Sequence, residues 1–300
     1  MHCPTFAEFQ ELARSANVIP VYRQLLADTL TPVSAFQKLD VDQHGFLLES
    51  VTGGERVGRY SLVGGSPPAI LRAWGSKIEI TRGDQVNTYE SEDPLREIEE
   101  LLANVHPTTV PGLAAFTGGA VGYLAYDVVR YVEDLPNAPT DDMGFPDIYL
   151  LICDTLVVFD HVFKTMKVVT NARLHGCSAR EAYDAAMARI DEVVDRLRTP
   201  VTQLSDDIRP TGAVTRPFES NFDRADFEDA VRKCQEYICA GDIIQVVLSQ
   251  RLVIDTEADP FDVYRTLRVV NPSPYMFYLR LGETTLVGAS PEVMVKLEGD

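Results

Sequence analysis

The chain has 300 residues, 45% of them hydrophobic, and a formal net charge of −18 from 45 acidic and 27 basic side chains. That length and apolar content suffice for one large domain or two modest ones with a buried core. The acidic balance excludes a sequence-independent grip on nucleic acid, and no apolar run approaches the roughly 18 residues of a membrane span. Five cysteines without a CxxC pair indicate neither a disulfide framework nor a zinc site. The N-terminus MHCPTFAEF lacks the basic flank and apolar stretch of a secretion signal, so a cytoplasmic location is expected.

In chain order, Thr5 with Glu8 forms a capping-box pattern that predicts a helix to about Ala16, and Thr31-Pro32 places a cap and an N1 proline before VSAFQKL. Four strand-like runs follow, HGFLLES (44–50), RYSLVG (59–64), PAILRAW (68–74) and KIEIT (77–81), separated by turns and predicting an antiparallel sheet. Asp93-Pro94 opens a helix through EIEELL. The glycine-rich FTGGAVGYLAYD then leads to DIYLLICDTLVVF and KTMKVVT, which read as two long strands of one hairpin. Ser178 with Glu181 caps a further helix running to Arg198.

From Thr199 to Glu219 the pattern dissolves into Thr, Pro, Asp and Ser, the signature of a linker. The domain reading is 1–200, a linker over 201–220, and a second domain opening at 221–300. In that second part Phe227, Val231, Cys234 and Ile238 fall on one helical face with Gly241 as C-terminal cap. A strand IIQVVLSQRLVI (243–254), a helix PFDVYRTLRVV capped by Asp259, and strands YMFYLRL, TTLVGAS and VMVKL complete the prediction. The succession predicts an α+β fold with large, mostly antiparallel sheets and helices packed outside. The glycines of GGAVG (118–122) have the wrong spacing for a dinucleotide or phosphate loop, so close backbone packing is the better reading.

Four stretches are candidates for chemistry. Alternation along 243–254 places Ile244, Val246, Leu248, Leu252 and Ile254 on a core face and Gln245, Val247, Ser249, Arg251 and Val253 on the other, which is either solvated or a site wall. In GASPE, Pro291 stiffens a bend that carries Glu292, a carboxyl that serves equally as an acid or as an exposed turn charge. LLES ends a strand with Glu49 and Ser50 side by side. NPSPYM sets Pro272 and Pro274 one residue apart before an aromatic strand, a stiff wall with carbonyl acceptors beside an apolar surface. The five histidines show no metal-ligand spacing.

Taken in order, FLLESVTGGERVGRYSLVG, FTGGAVGYLAYD, AGDIIQVVLSQR, NPSPYMFYLR and LVGASPEVMVK resemble anthranilate synthase component I, within the chorismate-utilising enzymes. The resemblance spans nearly the whole chain and implies the fold of that enzyme. It also implies conversion of chorismate and ammonia to anthranilate and pyruvate in tryptophan biosynthesis. Magnesium is implied as cofactor, with its ligands and most chorismate ligands expected beyond Asp300. A glutamine amidotransferase subunit is the implied source of ammonia, and L-tryptophan the implied feedback inhibitor. By the same resemblance Glu292 is a candidate proton donor to the leaving hydroxyl, and Gln245 stands where isochorismate-forming relatives carry a water-activating lysine. Ser50, Pro274, Tyr275 and Met276, with Glu49 nearby, are the implied tryptophan site. Aminodeoxychorismate synthase component I shares the scaffold, although LLES with NPSPYM leans away from it. A non-catalytic tryptophan-sensing fragment is the reading from another class.

Overall fold

The computed structural model describes residues 1–39, 43–51, 58–200 and 216–297. Two compact units divide the chain: Met1–Asp206 together with Val263–Asp300, and Asp207–Asp262. This division does not follow the sequence-drawn boundary throughout, because the strands after Val263 are hydrogen-bonded into the sheet of the first unit. Of the linker expected over 201–220, residues 201–215 lie outside the described residues.

In the first unit, α1 (Phe6–Leu12) has the predicted capping box from Thr5 and Glu8, and ends sooner than its pattern suggested. Next come β1 (Val18–Leu26), α2 (Pro32–Leu39), β2 (His44–Glu49), β3 (Tyr60–Gly65), β4 (Ala69–Trp74), β5 (Lys77–Arg82), β6 (Gln85–Glu90) and α3 (Pro94–Ala103). Then follow β7 (Gly119–Leu124), a 3-10 turn over Tyr126–Tyr131, β8 (Ile148–Cys153), β9 (Thr155–Asp160), β10 (Thr165–Arg173) and α4 (Ala179–Arg198). Ser178 and Glu181 cap α4 reciprocally, as predicted.

The second unit holds β11 (Glu219–Ser220), α5 (Arg224–Ala240) and β12 (Leu252–Val253). Gly241 closes α5 in the left-handed conformation, φ 81°, which favours glycine. β11 and β12 pair antiparallel, and Asn221 Oδ1 accepts the Arg251 N–H at 2.7 Å. Helix α6 (Pro260–Val270) starts on this unit and runs into the first, where β13 (Tyr275–Leu281) and β14 (Thr284–Ser290) follow. Asp259 caps α6 by accepting the Phe261 N–H at 2.7 Å.

Two antiparallel sheets build the first unit, one ordered β1-β10-β9-β3-β2-β13-β14 and the other β6-β5-β4-β8-β7. They pack face to face through Phe46, Leu279 and Leu281 of the first and Ile70, Val121, Tyr149 and Leu151 of the second. The far face of the five-stranded sheet is covered by Leu95, Ile98 and Leu101 of α3, and α2 and α4 lie on the seven-stranded sheet. The expected α+β class with antiparallel sheets and outer helices is therefore what the chain adopts.

Four local expectations differ. DIYLLICDTLVVF is not one strand: β8 belongs to the five-stranded sheet and β9 to the seven-stranded one, and only β9 forms the hairpin with β10. Every residue of β8 is buried because both of its faces are covered, so its polarity gives no sign of where the chain changes sheet. Asp154 marks the crossing, held by Arg173 at 2.6 and 2.8 Å. The strand expected over 243–254 shrinks to β12, and Ile244, Val246, Leu252 and Ile254 are exposed rather than core. An alternating run needs a neighbouring ladder, and among the described residues only Glu219 and Ser220 supply one. VMVKL is likewise not a strand, with Met294 and Leu297 exposed. The face of Phe227, Val231, Cys234 and Ile238 lies on a helix but is not buried.

Strands β1 and β6 escaped the sequence pattern. Pro20 interrupts β1, which is an edge strand where proline is tolerated, and β6 is an edge whose side chains are mostly exposed. The glycines of GGAVG do serve close packing, since a Cβ on Gly122 would lie 1.9 Å from the Tyr149 carbonyl oxygen.

Candidate functional site

β2 and β13 are neighbours, and their register sets Met276 opposite Glu49 and Tyr278 opposite Leu47. The pleat sends Phe46 and Leu48, with Phe277 and Leu279, into the core between the sheets. Glu49 therefore points to the other, helix-covered face. Beyond the strand ends the contact continues, since the Val51 N–H donates to the Ser273 carbonyl at 3.1 Å. That carbonyl, in the middle of NPSP, is thus an engaged acceptor rather than a free one. Buried Ser273 also accepts the Tyr275 N–H at 3.2 Å and donates to the Ser290 carbonyl.

The predicted hairpin forms, with Leu281 opposite Thr284 and Tyr275 opposite Ser290. Its end carries the Ser290-Pro291-Glu292 turn, where Ser290 Oγ donates to the Glu292 carbonyl at 2.8 Å. Glu292 is exposed. Glu49, Ser50, Pro274, Tyr275, Met276 and the turn of Glu292 are accordingly gathered at one corner of the first unit. Gln245 belongs to the second unit, in an exposed irregular segment between α5 and β12. Of the gathered residues Met276 is wholly buried, Pro274 is half-buried, and Tyr275 is exposed.

The Glu49 side chain is only 3% exposed yet fully partnered. Tyr264 Oη donates to its Oε2 at 2.7 Å, Arg268 Nη2 donates to Oε1 at 3.2 Å, and Arg268 Nε lies 2.8 Å from Oε2. Tyr264 and Arg268 stand four positions apart on α6 and so share a face. Burial first, and then the neighbouring carboxylate, push the Tyr264 hydroxyl far above its ordinary range, which keeps it a donor. Tyr264 also packs edge-on against Tyr278 at 5.8 Å, and Tyr278 against Phe36 at 5.3 Å.

An open groove of about 780 Å³ lies beside this corner, lined by Glu49, Ser50, Arg268, His161 and Lys164 among others. Pro274, Tyr275 and Met276 are not part of its lining. His161 is bonded to the Ser61 hydroxyl at 2.7 Å, and burial holds its pKa below the ordinary value. Sequence reasoning missed Tyr264, Arg268, Ser273 and His161. The available signal was a tyrosine and an arginine at helical spacing on the element that runs directly into NPSP.

Residues 44–300 match the family model of chorismate binding enzymes. The chain belongs to the chorismate binding enzyme family. Within this family it is 38% identical to anthranilate synthase component 1 of Acetivibrio thermocellus, over 99% of this chain and 61% of that protein. It is 41% identical to the same component of Pseudomonas aeruginosa, over 97% and 60%. The solved anthranilate synthase component I of Streptococcus pneumoniae TIGR4 shares the fold with a TM-score of 0.62 at 27% identity, over 89% of this chain and 57% of that one. The chain spans about 60% of the length of the curated relatives it matches.

Magnesium, implied by the resemblance, needs a cluster of oxygen ligands. Among the described residues no group of three or more His, Cys, Asp or Glu side chains comes together that could hold a metal ion. The described residues do not fit the ion. No described helix is long and apolar enough to cross a membrane.

Proposed function

We propose that these residues belong to the chorismate-converting component of an anthranilate synthase, acting in tryptophan biosynthesis. The observation that carries the reading is identity of about 40% to anthranilate synthase component 1 across nearly the whole chain. In the proposed reaction ammonia adds to the chorismate ring while the hydroxyl leaves as water, and the enolpyruvyl group is then lost as pyruvate, giving anthranilate. Glu292, on its proline-stiffened turn, is the proposed donor of the proton that makes the hydroxyl a better leaving group. Gln245 is proposed to favour ammonia, because a neutral amide cannot act as a base towards water at neutral pH.

Ammonia is proposed to come from a glutamine amidotransferase partner, magnesium to be required as cofactor, and tryptophan to inhibit by binding at the corner where LLES meets NPSPYM. The pairing of Glu49 with Met276 supports that last part, because it places the two segments within reach of one small ligand. Water-soluble substrates suit a cytoplasmic enzyme. The test is an assay of the whole protein with chorismate, ammonium and magnesium, following anthranilate fluorescence. Product formed equally well in excess chelator overturns the magnesium requirement, and aminodeoxychorismate as sole product overturns the assignment.

A further inference from the structure

We propose that Tyr264 and Arg268 are positioning residues of the inhibitor site. They occupy both oxygens of Glu49, so that Glu49 fastens the end of β2 to α6 and does not receive the ammonium of a bound amino acid. The proposal rests on the reading of this corner as a tryptophan site.

Three observations carry it. First, both carboxylate oxygens of Glu49 are engaged, at 2.7 Å by Tyr264 and at 2.8 and 3.2 Å by Arg268. An incoming ammonium would have to displace a guanidinium from a carboxylate that is 3% exposed, exchanging one cation for another and leaving the first without its partner. Second, the geometry closes a ring through the chain. Helix α6 runs through Asn271-Pro272-Ser273-Pro274 into β13, β13 pairs with β2 at Glu49, and Glu49 returns to α6. Third, the two proline positions allow little slack in the return path, so the grip on Glu49 fixes where NPSPY sits relative to Ser50.

The two roles for Glu49 predict opposite signs for one substitution. If Glu49 were the ammonium ligand, Arg268→Gln would release its carboxylate and strengthen tryptophan binding. If Arg268 positions the site, Arg268→Gln weakens it. The experiment is calorimetric titration of tryptophan into the whole enzyme as wild type, Glu49→Gln, Arg268→Gln and the double variant, with thermal melting of each. The expected result is a loss of about tenfold in affinity for each single variant and no further loss in the double. Arg268→Lys, which keeps the charge but not the planar guanidinium, should lose less. Stronger or unchanged binding in Arg268→Gln overturns the proposal. Should that variant not fold, unchanged affinity in Arg268→Lys does so instead. A wild type that binds no tryptophan removes the regulatory reading above. The fastening is then decided by the melting cycle, in which additive losses from Glu49→Gln and Arg268→Gln overturn it.

Discussion

Met276 stands directly opposite Glu49 in the ladder that joins β13 to β2, although the two lie far apart in the sequence. The same ladder leads through the hairpin to Tyr275 opposite Ser290, two residues before Glu292. A ligand that seats between LLES and NPSPYM is thereby connected, through one continuous piece of sheet, to the turn that carries the proposed proton donor. Coupling of this kind is reciprocal, so chorismate should weaken tryptophan binding by the factor with which tryptophan weakens chorismate. Calorimetry with and without chorismate measures both, and tryptophan affinity independent of chorismate refutes the coupling. Ser50→Phe should abolish inhibition with a modest loss of uninhibited turnover, and undiminished tryptophan affinity in that variant refutes the site.

Gln245→Lys is expected to open a side reaction with water. An amine in a desolvated pocket can be neutral and accept a proton, which an amide cannot. Chromatography of the products with chorismate should reveal an isochorismate-like species. Its absence from a folded variant means that position 245 does not select the nucleophile.

Acid should weaken the fold through two histidines. His44, bonded to the Tyr149 hydroxyl at 2.9 Å, is held below the ordinary value of 6.5 by burial and by Arg72. Burial, helped by Lys164 and Arg268 and opposed by Glu49 and Asp160, does the same to His161. Below pH 6.5 the unfolded chain takes up these protons before the folded one, so the contribution is complete above that pH and is lost as pH falls through the depressed folded values. The melting temperature should drop between about pH 7.5 and about pH 5.5. A His44→Gln/His161→Gln double variant should show a shallower slope over the same interval, and an equal slope contradicts the assignment.

Gly122 is a packing position. A methyl group there would meet the backbone of Tyr149, with its carbonyl oxygen 1.9 Å from the new Cβ, and backbone cannot rotate away as a side chain can. Gly122→Ala is expected to cost about 3 kcal/mol, the upper part of the range for overpacking. Chemical denaturation against wild type measures it. A loss near zero shows that β7 shifts freely against β8.

What the sequence determined was local. Thr5 with Glu8 and Ser178 with Glu181 fix helix starts because each cap and its partner are three residues apart. The hairpin at Gly282-Glu283 is legible for the same reason, and the glycine takes the left-handed conformation its turn requires, φ 70°. The family resemblance also singled out Glu49, Ser50, Pro274, Tyr275 and Met276, although no spacing rule joins residues so far apart. Tertiary structure decided the rest. It split DIYLLICDTLVVF between two sheets, since a strand buried on both faces carries no alternation to show its allegiance. Among the described residues it left 243–254 mostly without a ladder, since alternation makes a strand only where a neighbour offers hydrogen bonds. And it committed Glu49 to Tyr264 and Arg268, because a carboxylate's partners are set by which helix packs over the sheet rather than by its neighbours in the chain.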